Sequence, residues 1–398
     1  MARSAASRGV APHGAPRRSP ARGVDPVRGP TCRACHSRVG WLVLDLGQQP
    51  AADNYPLAAE PGPDNVYPLQ MWLCGTCCLA QLLGESPDVG ESQGVEPEAF
   101  RAQAGDALER LSVAGYLPRG GRFAEYTSMH GSSWASLVAT YDLSEAREHE
   151  LADVVLDSFG LMHVADQAGA LAERAARVAP GGVLLLQYHA LDAIVAQGQW
   201  NVLRHGHYAY HSTTSLVNLL APIGFSVRSA WRFELLGGTA MLAAARSGEV
   251  TKVTLQDSSV GSLLRRDEEI GVTDAAVLRR LQRQAEEHAA RLHGWLVEEQ
   301  RCGRGVVGYG AASRAVPLLI QAGVNRSLLE GVVDASATKQ GRRMPGTDIP
   351  VLPLAHLAER RFESVLLFVP DLLPEVRAAF PDVEARGARW VDAMAPGA

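Results

Sequence analysis

Four cysteines in two C-x2-C pairs, Cys32/Cys35 and Cys74/Cys77, constrain this chain more than any other feature. Each pair sets two thiolates on one tight knuckle. Two such knuckles supply the tetrahedral sulfur cage that zinc prefers. The 38 residues between the pairs include strand-like pieces, "GWLVLDLG" and "YPLQMWLC". The metal is therefore expected to close a small N-terminal zinc-binding module over 31–95. Four protein thiolates leave no open position, which makes the Zn2+ structural. Disulfides are the poorer reading for a chain expected in the cytoplasm. Cys78 and Cys302 are expected to be small packing residues.

The first 30 residues, "MARSAASRGVAPHGAPRRSPARGVDPVRGP", are rich in Arg, Pro, Ala and Gly and lack the apolar segment of a secretory signal. They are expected to form a disordered tail. The whole chain has 398 residues, 46% hydrophobic and 20% charged, which suits two or three soluble domains. Its net charge of −5 argues against a nucleic-acid partner. No run of about 18 apolar residues suggests a membrane span.

Residues 96–250 alternate between strand and helix patterns. A helix is expected near 98–115, and "GGRFAEYTS" reads as a strand entering a turn. Trp134, Leu137, Val138 and Tyr141 then recur at helical spacing. "ADVVLDSFGLMHV" is an apolar strand ending near His163, followed by a helix and a second buried strand, "GGVLLLQYHAL". Apolar strands alternating with helices indicate an α/β fold with a parallel sheet. Farther on, "RHGHYAYH" gathers three histidines beside Arg204. His207 has the neutral-pH chemistry of a general base. His205 suits a supporting role, Arg204 an anion or oxyanion contact, and Tyr208, Tyr210 and His211 lie close enough to donate. H-x-H could also hold a metal, but no carboxylate stands nearby.

Residues 251–302 read as a linker and a long amphipathic helix, with Leu278, Leu281, Ala285, Leu292 and Leu296 on one face. Over 303–398 a Rossmann-like βαβ pattern follows. "GVVGYGAASRA" runs from strand through a glycine turn, with Gly308 and Gly310, into a helix, and Asp334 ends the next strand 24 residues after Gly310. In a dinucleotide fold such glycines admit phosphate and such an acid meets ribose. The signature lacks a third glycine, so a purely structural turn is as good a reading.

Three segments together resemble one family. "ADVVLDSFGLMHVADQAGALAERAARVAPGGVLLLQY" is similar to the second half of a class I methyltransferase domain. "QGQWNVLRHGHYAYHSTTSLVNLLAPIGF" resembles the active-site segment of the zinc-containing sugar C-methyltransferases of antibiotic deoxysugar pathways. The four-cysteine module and "VVGYGAASRAVPLLIQAG" with "GVVDASATKQGRRMPGTDIPVL" resemble the same family. The resemblance implies S-adenosylmethionine as methyl donor and a nucleotide-linked keto sugar, methylated through an enolate. It implies cofactor contacts from Glu125, Ser128, Gly131 and His163. It also implies sugar-nucleotide contacts from Gly308, Gly310, Arg314, Asp334, Lys339 and Arg342, the cations meeting a pyrophosphate.

The chain departs from that pattern in two places. Only residues 142–151 separate the first helix from the strand at 152, too few for a βαβ crossover. The methyltransferase-like domain should therefore be shortened by two strands, with its first strand as a new sheet edge. The lost second strand would have ended in the acid that holds the cofactor's ribose. Asp142, Glu145 and Glu148 read instead as solvated charges. The family's Tyr-His-Glu-His is here Arg204-His205-Gly206-His207. Three functions stay open: a methyltransferase with a weak cofactor site, an epimerase or isomerase that enolises the sugar without methylating it, or a non-catalytic sugar-nucleotide or partner-binding protein. A second copy of the chain is a candidate partner at the shortened edge.

Overall fold

In a computed structural model, described here for residues 27–60, 62–87, 96–127, 134–248 and 258–397, the chain builds three sheets. Residues 1–26 lie outside this description, as do Ser128 and Gly131. The first sheet is antiparallel: β1 (Val27–Arg28), β2 (Val39–Pro50), β3 (Val66–Cys74) and β4 (Ala80–Leu82). Its first strand pairs Val27 with Gly40, so the module begins ahead of the expected boundary at 31.

The second sheet draws on β5 (Arg122–Thr127), β6 (Ser144–Glu145), β7 (Ala152–Ser158) and β8 (Val178–His189). After β9 (Ala209–Tyr210) it adds β10 (Phe225–Phe233) and β11 (Thr239–Arg246). Its order is β10-β11-β8-β7-β5-β6. Strands β5 to β8 pair in parallel, and β11 runs antiparallel between β8 and β10. The helices are α1 (Glu98–Val113), α2 (Trp134–Val138), α3 (Gln167–Ala176), α4 (Leu191–Gln197) and α5 (Thr213–Leu220). Val154, Val155 and Leu156 of β7 are wholly buried, as a parallel strand covered on both faces requires. The short link at 142–151 behaves as chain length dictates, with one difference. Instead of no second strand there is a two-residue one, pairing Arg122 with Ser144 and Phe123 with Glu145. Strand β9 leaves this sheet and pairs with β4 of the zinc module.

Helix α6 (Ser258–Ile270) stands where a linker was expected, and two helices, α7 (Ala275–Leu278) and α8 (Arg280–Arg301), replace the expected single long one. Gly271, at φ +81°, ends α6, and the Asp274 side chain caps α7 by accepting from the Ala276 N–H at 2.8 Å. The expected apolar face is real, since Leu278, Leu281, Leu292 and Leu296 have no exposed surface. The third sheet is all parallel, in the order β14-β13-β12-β15-β16. Its strands are β12 (Val306–Tyr309), β13 (Val332–Val333), β14 (Val351–Leu352), β15 (Ser364–Leu367) and β16 (Arg389–Asp392), with α9 (Ala315–Gln321) after β12.

One apolar core joins the units. It runs from Leu44, Leu46, Met71 and Leu73 of the zinc module, through Leu281 and Leu292 of α8, to Leu318 and Val332 of the last domain. Cys302 takes no part in it. It is exposed and donates to Glu298 at 3.2 Å, which corrects its reading as a packing residue. Cys78 is half-buried at φ +64° on the second knuckle. Leu292→Ala should cost about 2–5 kcal/mol in urea unfolding, the usual range for a buried Leu-to-Ala cavity.

Candidate functional site

The sulfurs of Cys32, Cys35, Cys74 and Cys77 lie within 4.8 Å of one another. Cys32 and Cys77 are 3.7 Å apart and Cys35 and Cys74 3.5 Å. Zn–S bonds of about 2.3 Å set tetrahedral sulfurs about 3.8 Å apart, so the donor set fits zinc. Hydrogen bonds from Cys32 and then Cys77 pull the Cys74 thiol down to about 2, while a shared contact with Cys74 pushes Cys32 up to about 12. Without a cation the four cannot all ionise; a metal at their centre would let each be a thiolate.

Strand β9 seats the histidine segment on the module's sheet, and its neighbours then diverge. His205 is buried and turns toward the module, its Nε2 donating to the Pro68 carbonyl at 3.2 Å, and burial lowers its pKa. Tyr208 lies under the Arg33 guanidinium at 4.8 Å. Tyr210 accepts from the Arg204 N–H at 3.2 Å and is wholly buried. Arg204 is buried too, ion-paired with Asp53 of the module. Its Nε donates to His207 Nε2 at 2.8 Å and its Nη1 to Ser313 Oγ at 3.0 Å. The charge expected to meet a substrate anion is thus already matched. His163, just past β7, packs its ring edge-on to His207 at 4.6 Å.

The glycine turn after β12 is filled from within. A Cβ on Gly308 would meet Phe368 at 2.8 Å and Val332 at 2.9 Å. One on Gly310, at φ +85°, would meet Val369 at 2.8 Å. Asp334 accepts from the Ala311 N–H at 2.7 Å and the Ser336 N–H at 2.8 Å, bracketing the turn. Lys339 donates to the Ala311 carbonyl at 2.8 Å and lies 5.1 Å from the Tyr55 ring centre. Arg342 donates to the Tyr55 carbonyl at 2.6 Å, and its neighbour Arg343 grips Asp64 with both Nη atoms. Arg314 pairs with Asp371 at 2.9 Å. These side chains fasten the last domain to the zinc module or to itself.

A family model described as "Putative zinc binding domain" matches residues 32–88, and one described as "C-methyltransferase C-terminal domain" matches residues 234–395. The chain is thus similar to zinc-containing C-methyltransferases over both its N-terminal module and its C-terminal part. C-methyltransferase NovU of Streptomyces niveus is 24% identical over 407 residues, covering 90% of this chain and 94% of that protein. Among solved structures, magnesium protoporphyrin IX methyltransferase of Synechocystis PCC 6803, with bound SAH, is 14% identical. It covers 39% of this chain and 90% of its own, with a TM-score of 0.29. An O-methyltransferase family protein of Burkholderia thailandensis, also 14% identical, covers 38% and 59%, with a TM-score of 0.27.

Glu125, half-buried, lies near the end of β5, and His163 lies in the turn that follows β7. The short β6 stops level with Phe123, four residues before Thr127 ends β5, a gap of about 13 Å at ~3.3 Å per residue. Glu145 is exposed there, as are Asp142 and Glu148, so the described residues supply no ribose acid at the cofactor edge. Sequence reasoning missed Asp53, Ser313 and His189. His189, at the end of β8, is held down to about 4 by burial and by the Arg314 charge. Nothing in "AADNYP" distinguishes Asp53 from a loop acid, and His189 falls at the end of an apolar run that reads as core. His211 is also buried, its Nε2 donating to Gln167 at 3.2 Å, and burial lowers it to about 3. Among the described residues no helix is long and apolar enough to cross a membrane.

Purified protein should carry about one zinc per chain by metal analysis, and Cys74→Ser should remove it and loosen the N-terminal sheet. His189 and His211 sit below the ordinary imidazole value of about 6.5. On acidification the unfolded chain therefore takes up their protons before the native chain does. The stability they contribute is full above about pH 6.5 and is lost as pH falls toward 4. Asp267, raised to about 6 by burial, acts oppositely: its contribution is full at low pH and is lost as pH rises through about 6. Four lowered histidines outweigh two raised acids, since His205 and His288 join the first pair and buried Asp157 joins Asp267. Urea titrations should show stability falling from about pH 6.5 to 4.5, and His211→Asn should flatten that slope by up to about 1.4 kcal/mol per pH unit.

Proposed function

We propose that the chain methylates the carbon beside the ketone of a nucleotide-linked keto-deoxysugar, with His207 removing the proton to leave an enolate. The observation that carries this reading is the contact of His163 and His207. Forty-four residues separate them in the chain, yet their rings meet at 4.6 Å where the C-terminal end of β7 faces the last domain. Parallel α/β sheets place ligands at that edge. S-adenosylmethionine, when bound, supplies an electrophilic methyl group. Glu125 and His163 border its place from the ends of β5 and β7. Gly131, outside the described residues, is the cofactor contact the sequence suggests. His207 accepts the substrate proton, and the cluster of Arg204, Asp53 and Ser313 supports it.

The short β6 favours a second reading. Without an acid at the ribose the protein would enolise and reprotonate its sugar, an epimerase or isomerase with no methyl donor. Calorimetry with S-adenosylhomocysteine separates the two. Losing one charge-assisted hydrogen bond costs about 1.5–3 kcal/mol, so binding weakened by about ten- to a hundredfold is expected. With a nucleotide-linked 4-keto sugar, methyl incorporation should depend on His207, and His207→Ala should abolish turnover while S-adenosylhomocysteine still binds. Exchange of the sugar's α-proton with deuterium, without methylation or cofactor binding, would establish the second reading. Neither exchange nor methylation would overturn both.

A further inference from the structure

The Arg204 guanidinium is a fork shared by three domains. Its Nε donates to Nε2 of His207 at 2.8 Å, and its Nη1 donates to Oδ2 of Asp53 and, at 3.0 Å, to Oγ of Ser313. Ser313 donates in turn to Oδ1 of Asp53. Asp53 lies on the zinc module after β2, and Ser313 lies in the turn before α9. Arginine only donates, so Nε2 of His207 is the acceptor, and the neutral ring carries its proton on Nδ1. The fork is rigid and planar, so fixing one tine with a carboxylate aims the other. The side chains of both Arg204 and Asp53 are less than a tenth exposed, so little water competes for the guanidinium. No acid stands beside His207 in "RHGHYAY"; the one that serves it comes from a loop about 150 residues earlier in the chain.

We propose that Asp53 is the positioning residue of His207. Acting through Arg204, it fixes the imidazole as the single tautomer with its proton on Nδ1 and its lone pair on Nε2. This rests on His207 being the base. It gives the zinc module a part in the chemistry as well as in the fold, because the module's loop decides which nitrogen can take a proton. Ser313 makes the arrangement depend on the last domain being docked. Substrate has to draw Arg204 aside before Nε2 can reach a carbon-bound proton, and the Asp53 carboxylate gives the guanidinium a seat to return to.

The test uses the full chain, zinc-loaded, without substrate. Nitrogen NMR of isotope-labelled histidine resolves the tautomer of each ring, and His207→Gln identifies the His207 signals among the twelve histidines. Wild type should show one bare nitrogen, Nε2, and one protonated, Nδ1. Asp53→Asn should turn this into a mixture of tautomers, and Asp53→Glu should restore the single form. An unchanged single tautomer in folded, zinc-loaded Asp53→Asn would overturn the proposal and leave Asp53 as a staple between domains. Should that variant not fold, Arg204→Lys decides. One ammonium cannot serve Asp53 and His207 as a fork does, so a mixture supports the proposal and an unchanged ring overturns it. Failure of the base assignment is read separately, as turnover that survives in His207→Ala.

Discussion

The buried ion pair between Arg204 and Asp53 is where the three folded units meet. A charge taken out of water is tolerated only with a partner in good geometry, and breaking a buried pair typically costs about 3–5 kcal/mol. The pair therefore penalises any drift of the zinc module from the middle domain. Ser313, bonded to both residues, extends the penalty to the last domain. Nearby contacts use the same stretch of the module. Tyr55 donates to the Ala311 carbonyl at 2.6 Å, and Asp64 holds Arg343 and the Gly346 N–H. The loop between β2 and β3 is thus a docking element, and the cysteine knuckles that follow β3 and precede β2 hold its two supporting strands in register.

The other side of the module shapes the histidine segment. β4 pairs with β9, the carbonyl of Cys77 accepts from Asn218 on α5, and the Tyr208 carbonyl accepts from the Leu82 N–H. His205 and His207 flank a glycine at φ +84°, a turn that sends one imidazole to the module and the other to His163. Their separation is a consequence of β9 belonging to the zinc sheet. A metal site with no open coordination position is tied to the histidine segment in this way, through backbone pairing and one aspartate.

Much of this was legible in residues whose type leaves little choice. Two C-x2-C pairs have few uses other than a sulfur cage. The stripe from Leu278 to Leu296 had to be buried, although the helix that carries it breaks at Arg279. Ten residues could not hold a crossover, whatever their identity. Residues with several possible partners were harder to place. Lys339 and Arg342 read as cations awaiting phosphate, because a sequence shows a charge without showing the carbonyl that meets it across the fold. Asp334 had the spacing of a ribose acid, and its carboxylate accepts from the backbone N–H groups of Ala311 and Ser336. Arg204 looked like a substrate contact because Asp53 lies in an unremarkable loop.

The shortened sheet shows why fold and cofactor site can part company. Losing an edge strand exposes backbone donors and acceptors that must be satisfied again. Here the ten-residue link does so at the N-terminal end of β5, where the Ala146 N–H donates to the Phe123 carbonyl. Arg177, at the end of α3, then pins the link by donating to the carbonyls of Arg147 at 3.0 Å and Glu150 at 3.3 Å. Asp153 accepts from the Arg122 N–H at 2.8 Å and secures the start of the strand. Each repair lies at the end of the sheet where strands enter. A cofactor in such a sheet sits at the end where strands leave, and none of these bonds reaches it. Stability of the sheet and affinity at its ligand edge therefore depend on different residues, so the truncation can be well tolerated by one and felt fully by the other.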